Sequence, residues 1–245
     1  MNTHFKCPLF ILLLLLSPLV LAKEIKVAVG LALPPYVISS ENKGMELDII
    51  KETLAMNGHT VKPVYLPFAR VPWSLKEGKV DAAMTINESS GIDNVFYSDN
   101  HIIYQNVAVS LAKNNYTIDT VKDLSDRSVL AFQSATLYLG DDFKNMASNN
   151  KRYKEEPRQD IQITMVYNER TEAVVMDLNI FKYYKAKESR ADVSQPVKIH
   201  TIFSPSLYKV GFRSKKLRDD FNASLKELIV SGKHKEIIKR YVSDD

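Results

Sequence analysis

The sequence predicts an α/β chain of two lobes, each a mostly parallel sheet flanked by helices, and three observations carry that prediction. Strands and helices alternate through most of the chain, the pattern of a parallel sheet with crossover helices. After an apolar strand at 107–112 the alternation begins again with different material, which implies a second lobe. No Pro/Gly/Ser-rich linker separates the two runs, so the lobes are joined directly, by more than one strand.

The first element is a leader. His4 and Lys6 precede a nearly unbroken apolar run at 9–21. The run is shorter than the roughly 20 apolar residues a membrane-spanning helix needs, and it contains Pro18 and ends in Val20-Leu21-Ala22. It reads as a signal peptide at 1–22, cleaved after Ala22, which sends the mature chain to the periplasm. Cys7, the only cysteine, lies inside this leader. The mature chain is then held by its core alone, and thiolate-metal and cysteine-nucleophile chemistry are excluded.

Ile25, Val27 and Val29 alternate with Lys26 and Ala28 in a first strand that ends at Gly30. After Pro34-Pro35-Tyr36, the stretch 46–57 sets Leu47, Ile50 and Leu54 on one helical face and stops at Gly58. A strand at 60–65, a short helix at 71–77 and a strand at 80–84 complete a βαβαβ lobe. Trp73, the one tryptophan, is expected in the core with its N–H paired.

In the second lobe, 128–132 reads as a strand, 137–147 as a helix and 161–166 as an alternating strand. A short helix at 169–174 then feeds a strand that ends at Asp177. Strands at 197–202 and 207–212 follow. Two helices close the chain, the first with Leu217, Phe221, Leu225, Leu228 and Ile229 at helical spacing before Gly232, the second with Ile237, Ile238 and Tyr241.

The net charge is +4, with acids and bases intermixed. A nucleic-acid surface would need a basic stripe interleaved with aromatics, and Lys182-Tyr183-Tyr184-Lys185-Ala186-Lys187 reads more simply as a solvated helix face. The histidines at 4, 59, 101, 200 and 234 lack ligand-like pairing, and phosphate-loop, dinucleotide and nucleophile-elbow motifs are missing from the sequence. The expectation is a monomer with no metal, no cofactor and no nucleic acid.

Several stretches resemble, in order, the bacterial extracellular solute-binding proteins of family 3, the amino-acid-binding type. They are Pro35-Tyr36, Gly44-Met45-Glu46-Leu47-Asp48, Leu75-Lys76-Glu77-Gly78-Lys79-Val80-Asp81-Ala82, Tyr97-Ser98-Asp99, Val121-Lys122-Asp123-Leu124, Glu172-Ala173-Val174-Val175-Met176-Asp177 and the ending Lys239-Arg240-Tyr241. The resemblance implies a type II periplasmic-binding fold. Lobe 1 would take residues 24–108 plus 206–245 and lobe 2 residues 109–205, joined by a two-crossing hinge. Ligand would bind at the carboxyl ends of strands from both lobes, which close over it.

The family's acid contact has no counterpart here. In members that hold an α-amino acid, an arginine shortly before a Phe-Ser or Tyr-Ser pair grips the ligand carboxylate with its planar fork; the matching position is Gly91. The Gly-Thr/Ser-Thr turn that adds backbone N–H groups to that anion site reads Ser134-Ala135-Thr136. Asp177 matches the carboxylate that receives the ligand ammonium.

The expected ligand contacts are therefore Tyr36 as an aromatic wall, Phe68 and Arg70 in the loop before residue 71, and Thr85, Asn87 and Glu88 after the third strand. Ser134, Thr136 and Asp177 face them from the second lobe. Arg70 would stand in for the arginine that Gly91 replaces.

The function this implies is reversible capture of a small polar or amine-bearing metabolite, without catalysis, for delivery to an inner-membrane ABC permease or for sensing. One rival is an enzyme on the same fold, akin to the periplasmic cyclohexadienyl dehydratases, which would need Glu88 or Asp177 as general acid or base. The other is an extracytoplasmic sensor without a transporter.

Overall fold

A computed structural model describes residues 22–31 and 33–242, so all of the leader except Ala22 lies outside the described residues. The first half follows the βαβαβ order. Strand β1 (Glu24–Gly30) leads through helix α1 (Met45–Ala55) to β2 (Thr60–Leu66), and α2 (Val71–Lys76) leads on to β3 (Ala82–Ile86). β1 pairs in parallel with both β2 and β3. Two short strands, β4 (Phe96–Tyr97) and β5 (Ile102–Tyr104), follow.

At Gln105 the chain changes sheets. The second set comprises β6 (Asn106–Leu111), β7 (Val129–Phe132), α3 (Ala135–Tyr138), α4 (Asp141–Asn149), β8 (Tyr153–Glu156), α5 (Gln159–Tyr167), β9 (Ala173–Asp177), α6 (Leu178–Lys187) and β10 (Val197–His200). The chain then returns as β11 (Ser206–Phe212), α7 (Lys215–Val230) and α8 (Lys233–Lys239). The first sheet runs β2-β1-β3-β11-β4, with β5 also on β11; the second runs β10-β6-β9-β7-β8.

Three strands of each sheet are parallel, and the strands next to the two crossings are antiparallel: β11 to β3, β4 and β5, and β6 to β9 and β10. A strand that enters a sheet from the other lobe has no crossover helix to turn it round, which sets its direction. The crossings are tied to each other, since the Gln105 side-chain amide donates to the Phe203 carbonyl at 3.0 Å and Asn106 Nδ2 donates to Ser206 Oγ at 3.1 Å.

Leu47, Ile50 and Leu54 of α1 bury against the first sheet together with Phe221, Leu225 and Leu228 of α7 and Ile237 of α8. That cluster continues without a break through Tyr36, Tyr104 and Tyr208 to Met176 and Ile180, so the lobes are closed on each other. A second cluster, with Phe143, Met146, Val129, Ala131 and Phe203, sits on the other side of the second sheet.

Three expectations are corrected. The segment 161–166 is not a strand but most of helix α5. Ile161, Ile163 and Met165 alternate with Gln162 and Thr164, which mimics a strand, but the buried residues are Gln159, Gln162, Ile163, Val166 and Tyr167, a helical stripe that includes two glutamines. Gln162 is tolerated there because its amide nitrogen reaches the carbonyls of Leu130 at 3.1 Å and Val175 at 3.3 Å. Likewise 169–174 is a turn running into β9 and not a helix. Trp73 is 52% exposed rather than in the core; it lies on the outer face of the six-residue α2, with Lys79 Nζ 5.6 Å from its ring centroid.

Candidate ligand-binding cleft

The cleft is built from the ends of β1, β3, β5 and β9. Gly44, before α1, adopts φ +143°, and a Cβ there would lie 2.2 Å from the Tyr36 carbonyl oxygen. Only glycine lets the helix start approach that loop so closely. The Tyr36 carbonyl then accepts the N–H groups of Glu46 at 3.1 Å and Leu47 at 3.4 Å. This clasp turns Glu46 inward, where it is fully buried.

The Glu46 carboxylate accepts hydrogen bonds from Thr85 Oγ1 at 2.9 Å and the Tyr104 hydroxyl at 2.7 Å, and lies 2.9 Å from His101 Nε2. Thr85 reaches it from a left-handed backbone conformation, φ +59°, which is costly for a β-branched residue and is the kind of local strain that collects at binding sites.

Asp177 ends β9 and caps α6. Its Oδ1 accepts from the N–H groups of Asn179 at 2.8 Å and Ile180 at 3.1 Å. Its Oδ2 accepts from the Gln105 N–H at 2.9 Å and, across the cleft, from the Tyr36 hydroxyl at 3.0 Å. Asn179 Nδ2 also donates to the Tyr36 hydroxyl, at 3.1 Å. Burial, opposed by these donors, pushes the Asp177 carboxyl up to about 7. The Tyr36 ring lies flat on Tyr104, centroids 3.6 Å apart and planes 20° apart.

Between the lobes a void of about 10 Å³ remains, lined in part by Phe68, Thr85, Tyr104, Phe132, Asp177 and Tyr208. It has room for about one water at most. Of the expected contacts, Phe68, Thr85 and Asp177 meet at this void and Tyr36 stands directly behind it. The others are elsewhere. Arg70 is exposed at the end of the turn Phe68–Arg70. Asn87 caps the turn Glu88–Ser90, and Glu88, exposed, is ion-paired with Lys209.

The turn Ser134-Ala135-Thr136 is filled from within. The Glu155 carboxylate accepts from Ser134 N–H at 2.7 Å and from Thr136 N–H and Oγ1 at 3.3 Å each. Gly91 has open space on its Cβ side, with nothing within 4 Å. Neither place therefore offers a cation or free N–H groups to a ligand carboxylate.

Glu46, Tyr104, Phe132 and Tyr208 were missed as site residues in the sequence. The one signal for them was aromatic residues near strand ends, at 132, 104 and 208, since each reaches the cleft only when the two sheets meet.

These features define a closed, two-lobed α/β receptor of the type II periplasmic-binding fold. The chain belongs to the bacterial extracellular solute-binding proteins, family 3, whose sequence profile matches residues 25–244. Its fold is similar to that of a mutant of the arginine-binding protein from T. maritima, with TM-score 0.73 and 22% identity, covering 90% of this chain and 96% of that one. It is also similar to ArtJ from Geobacillus stearothermophilus, an arginine-, lysine-, histidine-binding protein, with TM-score 0.72, 16% identity and coverage of 91% and 96%. A histidine kinase sensor domain shares the fold too, at TM-score 0.75 and 15% identity, covering 90% and 96%. No curated protein matches the sequence.

Proposed function

We propose that this solute-binding protein captures a small amine-bearing molecule that lacks an α-carboxylate, in the cleft between the two lobes. The observation that carries this reading is the imbalance of charge in the cleft: Asp177 and Glu46 are buried there, neither paired with a lysine or arginine among the described residues. A buried carboxylate favours a cation as its neighbour. Gly91 in the arginine position, and Glu155 on the Ser134–Thr136 turn, speak against an amino-acid carboxylate as part of the ligand.

Tyr36, Phe68, Thr85 and Asp177 are the proposed ligand contacts. The leader at 1–22 places the protein in the periplasm, where it hands its ligand to an inner-membrane permease. Catalysis through Glu88 is disfavoured, because Glu88 is tied to Lys209 on the surface.

The test is a thermal-shift screen of the purified protein against amines, amino acids and organic acids. A ligand that binds only the native state raises the melting temperature. The reading predicts that amines without a carboxylate produce the shift and that Asp177→Asn, which keeps the helix cap but removes the charge, abolishes it. A shift confined to amino acids or organic acids contradicts it.

A further inference from the structure

We infer that the ligand is a monoamine with an apolar remainder, an alkyl or arylalkyl chain that runs from the amine site out along the cleft. This rests on the reading of the cleft as an amine site and adds what the amine carries. Beside the small void lies a second, larger space of about 190 Å³. It is built at the carboxyl ends of four parallel strands, the place where open α/β sheets receive ligands. In the first sheet, Leu31 and Leu33 follow β1, and Pro67 and Phe68 follow its neighbour β2. In the second, Phe132 ends β7 and Pro157 follows its neighbour β8. All six side chains are apolar. An apolar cavity of about 150 Å³ takes a benzene-sized guest, so a chain of several carbons fits.

The void and this vestibule share a wall. Leu33 and Phe68 from the first sheet's loops, and Phe132 and Gln159 from the second's, line both. Because that wall is divided between the lobes, the parting that admits a ligand opens it, and the two spaces become one channel with Asp177 at its inner end. A cation held at Asp177 then directs its remaining atoms at the apolar loops. No acidic residue lines the vestibule among the described residues, and its one charged side chain, Arg158, repels a second ammonium. Arg158 is forked onto Asp160, with Nη2 at 2.9 Å, and that pair lies within one loop, so it survives the parting. A ligand carboxylate would have to compete with Asp160 for it. Gln133 and Gln159 are neutral amides beside six apolar side chains. An apolar chain meets no such competition, and each methylene it buries is worth roughly fourfold in affinity.

The test is calorimetry on the purified protein with four five-carbon amines that differ only at the far end: pentylamine, its ω-hydroxy form aminopentanol, cadaverine and δ-aminovalerate. The inference predicts that pentylamine binds at least tenfold more tightly than each of the others. Leu31 is 45% exposed and its N–H is bonded to the Leu66 carbonyl, so the fold tolerates a charge there. Leu31→Asp cuts the margin of pentylamine over cadaverine at least fivefold, and circular dichroism separates loss of binding from loss of fold. If δ-aminovalerate alone binds, or none of the four does, both this inference and the amine-site reading fall. In every other case where pentylamine is matched or exceeded, or where Leu31→Asp folds and keeps the margin, the inference falls and the amine-site reading stands.

Discussion

Asp177 sets the chemistry of the cleft at the scale of a single residue. Burial pushes its carboxyl up to about 7, so over much of the acidic range the native protein holds a proton that the unfolded chain has released. The sign follows. Its contribution to stability is present at low pH and is lost as pH rises from the ordinary carboxylate range, about pH 4, to about 7. Melting temperatures measured across that range should fall for this reason, and Asp177→Asn should flatten that part of the profile. Ligand affinity runs the other way, since a cation is bound by the ionised form, and should rise as pH passes through 7. The end of an apolar strand made Asp177 visible in the sequence, but not its role as the cap of α6, nor its bond to Tyr36, 141 residues away. Glu46 was less visible still. An acid in the first turn of an amphipathic helix reads as a favourable charge at the helix start, and its partners Thr85, His101 and Tyr104 lie 39, 55 and 58 residues further on.

Elements were legible where burial follows one period. β1, α1 and α7 carry apolar residues at strand or helix spacing and bury most of them, although Ile229 and Val230 at the end of α7 are exposed. α5 broke the rule because two buried positions in its stripe are glutamines, of which Gln162 is satisfied by the sheet beneath. β8 was overlooked because Tyr153–Glu156, an edge strand, is largely charged, a composition that protects an open edge and hides the strand. The clasp between α1 and the Tyr36 loop yields a prediction at this scale. Gly44→Ala places a methyl group against the Tyr36 carbonyl in a backbone region that disfavours side chains, and should cost about 2 kcal/mol or more. A melting temperature lower by roughly 5 °C would agree with that figure; an unchanged one would show that the loop yields freely.

At the scale of the whole molecule, the two lobes are held shut by their own side chains. The Tyr36 hydroxyl bonds Asp177 and Asn179, and the Ala69 N–H donates to Gln133 Oε1 at 3.2 Å across the same cleft. A ligand must displace part of this closure, which lowers its apparent affinity by the fraction of molecules that are open. Tyr36→Phe removes the hydroxyl and keeps the ring stack, so it should shift the ligand-free protein toward the open form, seen as a larger radius of gyration in small-angle scattering. An unchanged radius would mean that the tyrosine bonds do not hold the lobes together.

The most direct test of the amine reading is calorimetric titration with matched pairs, each an L-amino acid and the amine left when its carboxylate is removed, such as L-arginine with agmatine and L-lysine with cadaverine. The account predicts that at least one amine binds one to one and at least tenfold more tightly than its parent amino acid, because no cation or free backbone N–H awaits the carboxylate at Gly91 or at the Ser134–Thr136 turn. An amino acid that binds more tightly than its own amine would contradict it.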